Sequence, residues 1–236
     1  MIKDAIYSAA DAFLSRRLSV GTQMGTKAIA GALQAKLRQR AFFSAKVGEA
    51  RIVAALRELS DAYSSGRIGR AEARSRLKEF LEQEPGAAEL PRLAKTARLN
   101  LILDQNARMA AAVGRWQVAM DKDVMERFPY WRYIAGPKPR DSHKVLDGLI
   151  LRKDDPFWAS HFPPWEFNCD CDLEEVDEEE AAAAAGEAAP RGPAMSEPKS
   201  GFEFNPADAF DEKLEVDPDL PDDLRRKIEE AMRGAA

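Results

Sequence analysis

Four side chains in one short stretch of the sequence could bind a metal ion through nitrogen or sulfur. His143, His161, Cys169 and Cys171 are all the histidines and cysteines of the 236-residue chain, and they fall within 29 positions. Zinc prefers such ligands in tetrahedral geometry, and a site without an open position stabilises a small fold. The Cys-x-Cys spacing is tighter than the usual Cys-x₂₋₄-Cys. Two interpretations stay open: a structural zinc site, and buried cysteines beside hydrogen-bonded histidines.

The same residues also allow a nucleophilic site. A cysteine thiol activated by His143 or His161 would make the chain a Cys/His enzyme. Zinc at the same residues would make it a zinc-dependent enzyme, and in either case the substrate would be nucleic acid or protein. The sequence supplies no specific third group to orient such a pair, so we assign no catalytic residue. Arg140, Asp141 and His143 could form a charged network, which we interpret as a contact that stabilises the fold.

Charge is distributed unevenly along the chain. The net charge is -5, yet residues 1–115 carry most of the arginines and residues 170–223 are strongly acidic. The acidic run after the cysteines lacks the alternating loop of a calcium site and is interpreted as solvated. The arginines of one predicted helix could contact DNA phosphates. We interpret them instead as a solvated helix face, because no DNA-recognition motif accompanies them. These arginines are Arg92, Arg98, Arg108 and Arg115.

Hydropathy and cysteine usage indicate a cytosolic place of synthesis. No apolar run reaches the roughly 18 residues that a membrane helix needs, and Met1–Asp4 does not lead into a signal-peptide core. Two cysteines separated by one residue would close a strained disulfide, so we expect both thiols to stay reduced.

Helical periodicity dominates the first half of the chain. Asn106 and Gly114 interrupt good helix formers in the longest pattern, and we interpret them as a tolerated Asn and a close helix contact at Gly. The apolar stripes need partners, which predicts a helical bundle. The predicted helices span about 2–18, 26–40, 47–63, 70–83 and 91–127.

Beyond Pro129 the sequence changes to aromatics, prolines and short apolar runs. Val145-Leu146 and Leu149-Ile150-Leu151 flank Asp147-Gly148, a pair that suits a two-residue hairpin turn. The predicted fold class is α+β: a mainly helical N-terminal half with a long helix leading into a small loop-rich module, followed by a flexible linker and a C-terminal helix. The predicted boundaries are 1–127 for the helical region, 128–176 for the compact His/Cys module, 177–200 for the acidic, Ala- and Pro-containing linker, and 201–236 for a C-terminal clip and helix.

Several motifs in fixed order resemble a known family. They are Asn106, Gly114-Arg115, Tyr130-Trp131-Arg132-Tyr133, Arg140-x-x-His143, Asp147-Gly148, Asp155-Pro156-Phe157-Trp158, His161-Phe162-Pro163-Pro164 and Cys169-x-Cys171. With Ala41–Val47 and Phe202–Pro206 they cover roughly residues 40–210, and together they resemble the phage Mu F-like minor head proteins, the head morphogenesis family of tailed bacteriophages. This chain departs from the common pattern at Asp170, where the family has Arg, and at Trp165-Glu166, where it has Asn-Gly.

The resemblance implies a non-enzymatic structural protein of a phage or prophage head. Such a protein is made in the bacterial cytoplasm and becomes part of the virion, inside the head at the portal vertex. It would assist head morphogenesis, DNA packaging or DNA delivery. The implied partners are the portal and major capsid proteins, with self-association and weak contact with packaged DNA as further expectations and no membrane partner.

Overall fold

In the computed structural model the described residues are 2–15, 17–21, 41–42, 50–90, 92–184, 205–210, 216 and 218–235. The predicted helix at 26–40, most of the Ala41–Val47 motif and the start of the Phe202–Pro206 clip lie outside them. Within the described part, no helix combines the length and the apolar character needed to cross a bilayer.

Helices form most of the described chain, as the periodicity predicts. Four long ones occupy the first half: α1 (Ile2–Ser15), α2 (Ala50–Ser64), α3 (Arg70–Gln83) and α4 (Thr96–Ala119). Shorter helices follow, together with a last amphipathic helix that buries Leu224 and Ile228. They are α5 (Lys122–Arg127), α6 (Asp141–Lys144), α7 (Trp158–His161), α8 (Glu178–Ala184) and α9 (Asp222–Ala235), with 3₁₀ turns at Pro85–Glu89 and Pro206–Phe210.

Helix α4 takes part in two hydrophobic cores. Its N-terminal half packs with α2 and α3 through Leu99, Ile102 and Leu103. Its C-terminal half packs with α1 and with the aromatic residues of the following module. Trp116 of α4 lies 5.2 Å, between ring centroids, from Trp131 in a tilted pair. The proposed boundary at 127/128 stays a prediction, and the second core extends across it.

The predicted long helix at 91–127 differs from the structure in two respects, because it begins at Thr96 and is broken after Ala119. The Asp121 carboxylate accepts a hydrogen bond of 3.0 Å from the Asp123 backbone N–H and so caps the start of α5. Capping the first N–H groups of a new helix favours a break that the apolar periodicity alone does not reveal.

A three-stranded antiparallel sheet follows α5. Strand β3 (Tyr130–Ile134) lies in the centre, between β4 (Ile150–Arg152) and β5 (Asp172–Val176). A two-residue parallel pair, β1 (Leu18–Ser19) with β2 (Ala41–Phe42), lies elsewhere in the chain. The module is therefore α+β, as predicted.

The predicted strand at Val145-Leu146 is wrong. These residues continue the turn that ends α6, where the Leu146 N–H donates to the His143 carbonyl at 3.1 Å. The hairpin partner of β4 is β3 instead, with Trp131 opposite Leu151. Gly148 has φ +80°, which suits a glycine, and its N–H donates to the Tyr133 carbonyl at 2.8 Å.

Gly114 lets α1 approach α4 closely. A Cβ atom at this position would lie 2.3 Å from the Ile6 carbonyl oxygen. About two turns earlier on α4, Asn106 accepts a hydrogen bond of 2.8 Å from Arg17 and donates one of 2.7 Å to the Ile102 carbonyl. The close contact predicted at Gly114 is confirmed, and Asn106 has a specific partner near the end of α1.

We expect Gly114→Ala to lower the free energy of unfolding by about 1–3 kcal/mol, because the added methyl group overpacks the contact with the α1 backbone. Chemical denaturation measures this change. Gly69→Ala is the control for a glycine replacement without overpacking, since a Cβ there meets no atom within 4 Å. Gly69 is the N-cap of α3, where alanine is disfavoured, so this variant should lose no more than about 1 kcal/mol. Wild-type stability of Gly114→Ala would contradict the close-contact interpretation.

Candidate metal centre

Three of the four predicted ligands converge inside the module. His143 lies on the short helix α6, and both cysteines lie in the segment that leads into β5. His143 Nδ1 is 3.4 Å from Cys171 Sγ and 3.6 Å from Cys169 Sγ. All three side chains are buried, and their ligand atoms lie within 4.8 Å of one another.

These separations fit a tetrahedral metal ion. Bonds of about 2.0–2.3 Å to nitrogen and sulfur place neighbouring ligand atoms of a tetrahedron about 3.3–3.8 Å apart. Two sulfurs and one imidazole nitrogen are soft and borderline ligands, which zinc prefers over the oxygen ligands of calcium or magnesium. His143, Cys169 and Cys171 could therefore hold a metal ion without rearrangement of the backbone.

Backbone N–H groups surround the two sulfur atoms. The Gly136 N–H hydrogen-bonds Cys171 Sγ, and the N–H groups of Trp165 and Cys171 hydrogen-bond Cys169 Sγ. The hydrogen bond from the Cys169 thiol is the main reason why the pKa of Cys171 is lowered to about 4, against the opposing effect of burial. The same hydrogen bond, with burial, raises the pKa of Cys169. Donors of this kind stabilise thiolate, the form that binds metal.

The far side of the His143 ring is held by a carboxylate. His143 Nε2 lies 3.1 Å from Glu166 Oε2, and Arg140 lies 3.2 Å from the same oxygen. Metal-binding histidines commonly donate their second ring N–H to a carboxylate, which fixes the tautomer and the ring orientation. The His143 ring also stacks on Trp165, with centroids 3.9 Å apart and planes 10° apart. Arg140 and His143 thus belong to one charged network, as predicted, but the carboxylate that joins them is that of Glu166 where Asp141 was expected.

His161 lies beside this group but is not one of its converging ligands. It ends α7, where its ring stacks on Phe157 with centroids 4.4 Å apart. Its Nδ1 is 2.8 Å from the Ser160 hydroxyl. Trp165 separates it from the centre, since this indole lies against both histidines. The structure thus brings together His143, Cys169 and Cys171 of the four predicted metal ligands.

Helix α4 holds the cysteine segment through two ion pairs. Arg108 lies 2.5 Å from Asp170, and Arg115 pairs with Asp172. Residues 108 and 115 are seven positions apart, so they share one face of the helix, and the two aspartates flank Cys171. These two arginines, interpreted from the sequence as solvated, are therefore engaged with carboxylates.

Sequence reasoning missed the residues that surround the ligands. In the sequence, Glu166 and Trp165 stand out only as departures from the expected family pattern. That departure does not indicate that they contact His143. Gly136 comes close to the cysteine segment because a Cβ there would lie 2.7 Å from the Asp170 carbonyl oxygen. No spacing rule predicts such a contact, because 34 residues separate the two positions.

Fold and site together define a small α+β module with a buried His/Cys cluster, attached to a helical half. The phage Mu protein F like family matches residues 30–174, more than half of the chain. This chain belongs to that family. No solved structure matches it.

Two curated relatives support the assignment. The putative capsid assembly protein F of Escherichia phage Mu is 32% identical over 96 residues, which is 40% of this chain and 21% of that protein. The Mu-like prophage FluMu F protein of Haemophilus influenzae is 30% identical over 149 residues, 59% of this chain and 35% of that protein. The chain thus matches between a fifth and about a third of the length of these relatives.

We expect Gly136→Ala to expose the two thiols, because the added methyl group would push the Asp170 backbone away from β3. The rate of reaction of metal-free protein with a chromogenic disulfide reagent measures this exposure. In the wild-type protein Cys169 and Cys171 are only 4% and 8% exposed. Gly69→Ala again serves as control and should react at the wild-type rate; an unchanged rate in Gly136→Ala would contradict the close contact.

Proposed function

We propose that this chain acts as a minor structural protein of a tailed-phage or prophage head, located at the portal vertex, where it assists head morphogenesis and DNA packaging or delivery. The observation that carries this proposal is the family match over residues 30–174. The name of the phage Mu relative, a putative capsid assembly protein, supports the same role. In this role the protein works by binding other head proteins and has no catalytic residue.

A groove between the compact module and the helical half offers a surface for such binding. It has a volume of about 450 Å³ and lies between α1, the end of α4, α5 and the sheet. Its walls are mainly apolar. Its charged lining residues are Asp123 and Arg127, exposed on the α5 side, together with Arg115 and Glu175. The apolar lining consists of Ile6, Val118, Ala119, Val124, Phe128, Trp131, Phe162 and Leu173.

Polar contacts between side chains fix one wall of this groove. The Trp131 indole N–H donates to Glu175 at 3.0 Å, and Glu175 also pairs with Lys153. Lys153 is 1% exposed and donates to the Ala119 carbonyl at 3.0 Å, near the end of α4. A preformed wall lowers the conformational cost of binding.

We assign this groove to a helix of the portal protein. An amphipathic helix presents an apolar stripe that fits an apolar groove, and helix-in-groove binding is a common recognition mode. The exposed Asp123 and Arg127 lie one turn apart on α5, so a helix with a basic and an acidic residue at the same spacing complements both charges.

We expect Val124→Glu to weaken co-purification with the portal protein by at least about tenfold, because a charge in the apolar groove loses its solvation on binding. Quantitative pull-down of co-expressed portal protein measures the loss. Val145→Glu is the matched control, because Val145 is 58% exposed and does not line the groove. Light scattering distinguishes the alternative occupant: loss of self-association with unchanged portal binding would assign the groove to a second copy of this chain.

We further propose that His143, Cys169 and Cys171 hold a zinc ion with a structural role. The donor separations, the backbone N–H···S contacts and the Glu166 carboxylate behind His143 support this proposal. Bound zinc would link α6 to the segment before β5 and so stabilise a module with little regular secondary structure. The module would then present its groove to a partner in one fixed shape.

We expect the purified protein to contain about one zinc per chain, and Glu166→Gln to lower the zinc affinity about 10–100-fold, because loss of the carboxylate makes His143 a weaker ligand. Mass spectrometry of metal content and competition with a chromogenic chelator measure these quantities. Glu179→Gln, an exposed position on α8, is the control and should match the wild type. Zinc-free wild-type protein that unfolds identically with and without chelator would refute the zinc proposal.

A further inference from the structure

A tetrahedral centre built on His143, Cys169 and Cys171 needs a fourth donor. The sequence suggested His161 for this position, but His161 lies outside the converging group. The oxygen of the Tyr133 hydroxyl occupies the matching place. It lies 3.5 Å from His143 Nδ1, between the 3.4 and 3.6 Å that separate the two sulfurs from this nitrogen.

Contacts to neighbouring side chains fix this hydroxyl in place. The Trp165 indole N–H donates to the Tyr133 oxygen at 2.9 Å. The hydroxyl also hydrogen-bonds the sulfur of Cys171. Tyr133 lies on the central strand β3 with 0% exposure, so its ring cannot swing out to solvent without disrupting the core.

Trp165 contacts both His143 and Tyr133. Its ring stacks on His143 while its N–H binds the Tyr133 oxygen, so one side chain orients both an imidazole and a phenol. The same indole lies between the centre and His161, at a centroid distance of 5.1 Å from the latter ring. The packing therefore favours Tyr133 and disfavours His161 as the fourth donor.

We propose that the Tyr133 hydroxyl oxygen is the fourth ligand of the metal centre, which becomes a closed S₂NO site. This inference rests on the proposed zinc site. Four protein donors leave no position for water or substrate, which is the property of structural and not of catalytic zinc sites. His161 then belongs to the aromatic packing around Phe157 and not to the coordination shell.

Cobalt(II) substitution tests this proposal, because cobalt reports its ligands by absorption. The wild-type protein should show thiolate-to-cobalt charge transfer in the near ultraviolet and strong tetrahedral bands in the red. Tyr133→Phe should keep the charge transfer of both thiolates, change the visible bands, and lower the zinc affinity at least about tenfold. His161→Gln is the control and should leave spectrum and affinity unchanged.

The outcomes separate this proposal from the zinc site itself. Visible bands that are unchanged in Tyr133→Phe, or changed in His161→Gln alone, would overturn the role of Tyr133 while leaving the metal centre intact. Absence of cobalt and zinc binding in the wild type would overturn both. If Tyr133→Phe does not fold, zinc added to metal-free wild-type protein decides the matter: tyrosine difference bands support coordination by a tyrosine oxygen, and their absence contradicts it.

Discussion

The fold depends on one helix that serves two hydrophobic cores at once. Helix α4 rises about 1.5 Å per residue, so its 24 residues span about 36 Å, enough for two successive packing partners. Its N-terminal half closes the α2/α3 core, and its C-terminal half carries α1 and the aromatic module. The close contact at Gly114 determines how α1 lies on this helix. Arg108 and Arg115, in its C-terminal half, determine how the cysteine segment lies on it. Shifting α4 would therefore shift the candidate metal centre and the groove together.

Trp165, Glu166 and Asp170 differ from the pattern expected from the resemblance, and all three lie around the His/Cys cluster. Trp165 stacks on His143, Glu166 holds the far nitrogen of the same ring, and Asp170 pairs with Arg108. An acidic residue between the cysteines fits here because α4 presents an arginine to it. Side chains from distant parts of the chain therefore support the His/Cys cluster.

Burial of charge in the module is restricted to paired groups. His143 and Glu166 share a buried contact, and Lys153 is enclosed by Glu175, Trp131 and the Ala119 carbonyl. Burying any of these groups without a partner would cost several kcal/mol, so the stability of the fold depends on each partner. At the surface, acidic residues of β5 and α8 also form ion pairs: Glu174 and Glu180 both bind Arg132.

The sequence by itself determined the helical first half, the α+β class, the family and the stretch in which the reactive residues concentrate, because periodicity and rare residue types are local properties. Only the tertiary structure decided that α4 ends at Ala119, that Val145-Leu146 forms a turn, and that His161 stays apart from His143 and the two cysteines. These outcomes depend on the direction of side chains brought together from distant positions. Tyr133 illustrates the reason: alternation along β3 points it into the core, but only the packing of Trp165 and of the cysteine segment places its oxygen beside His143.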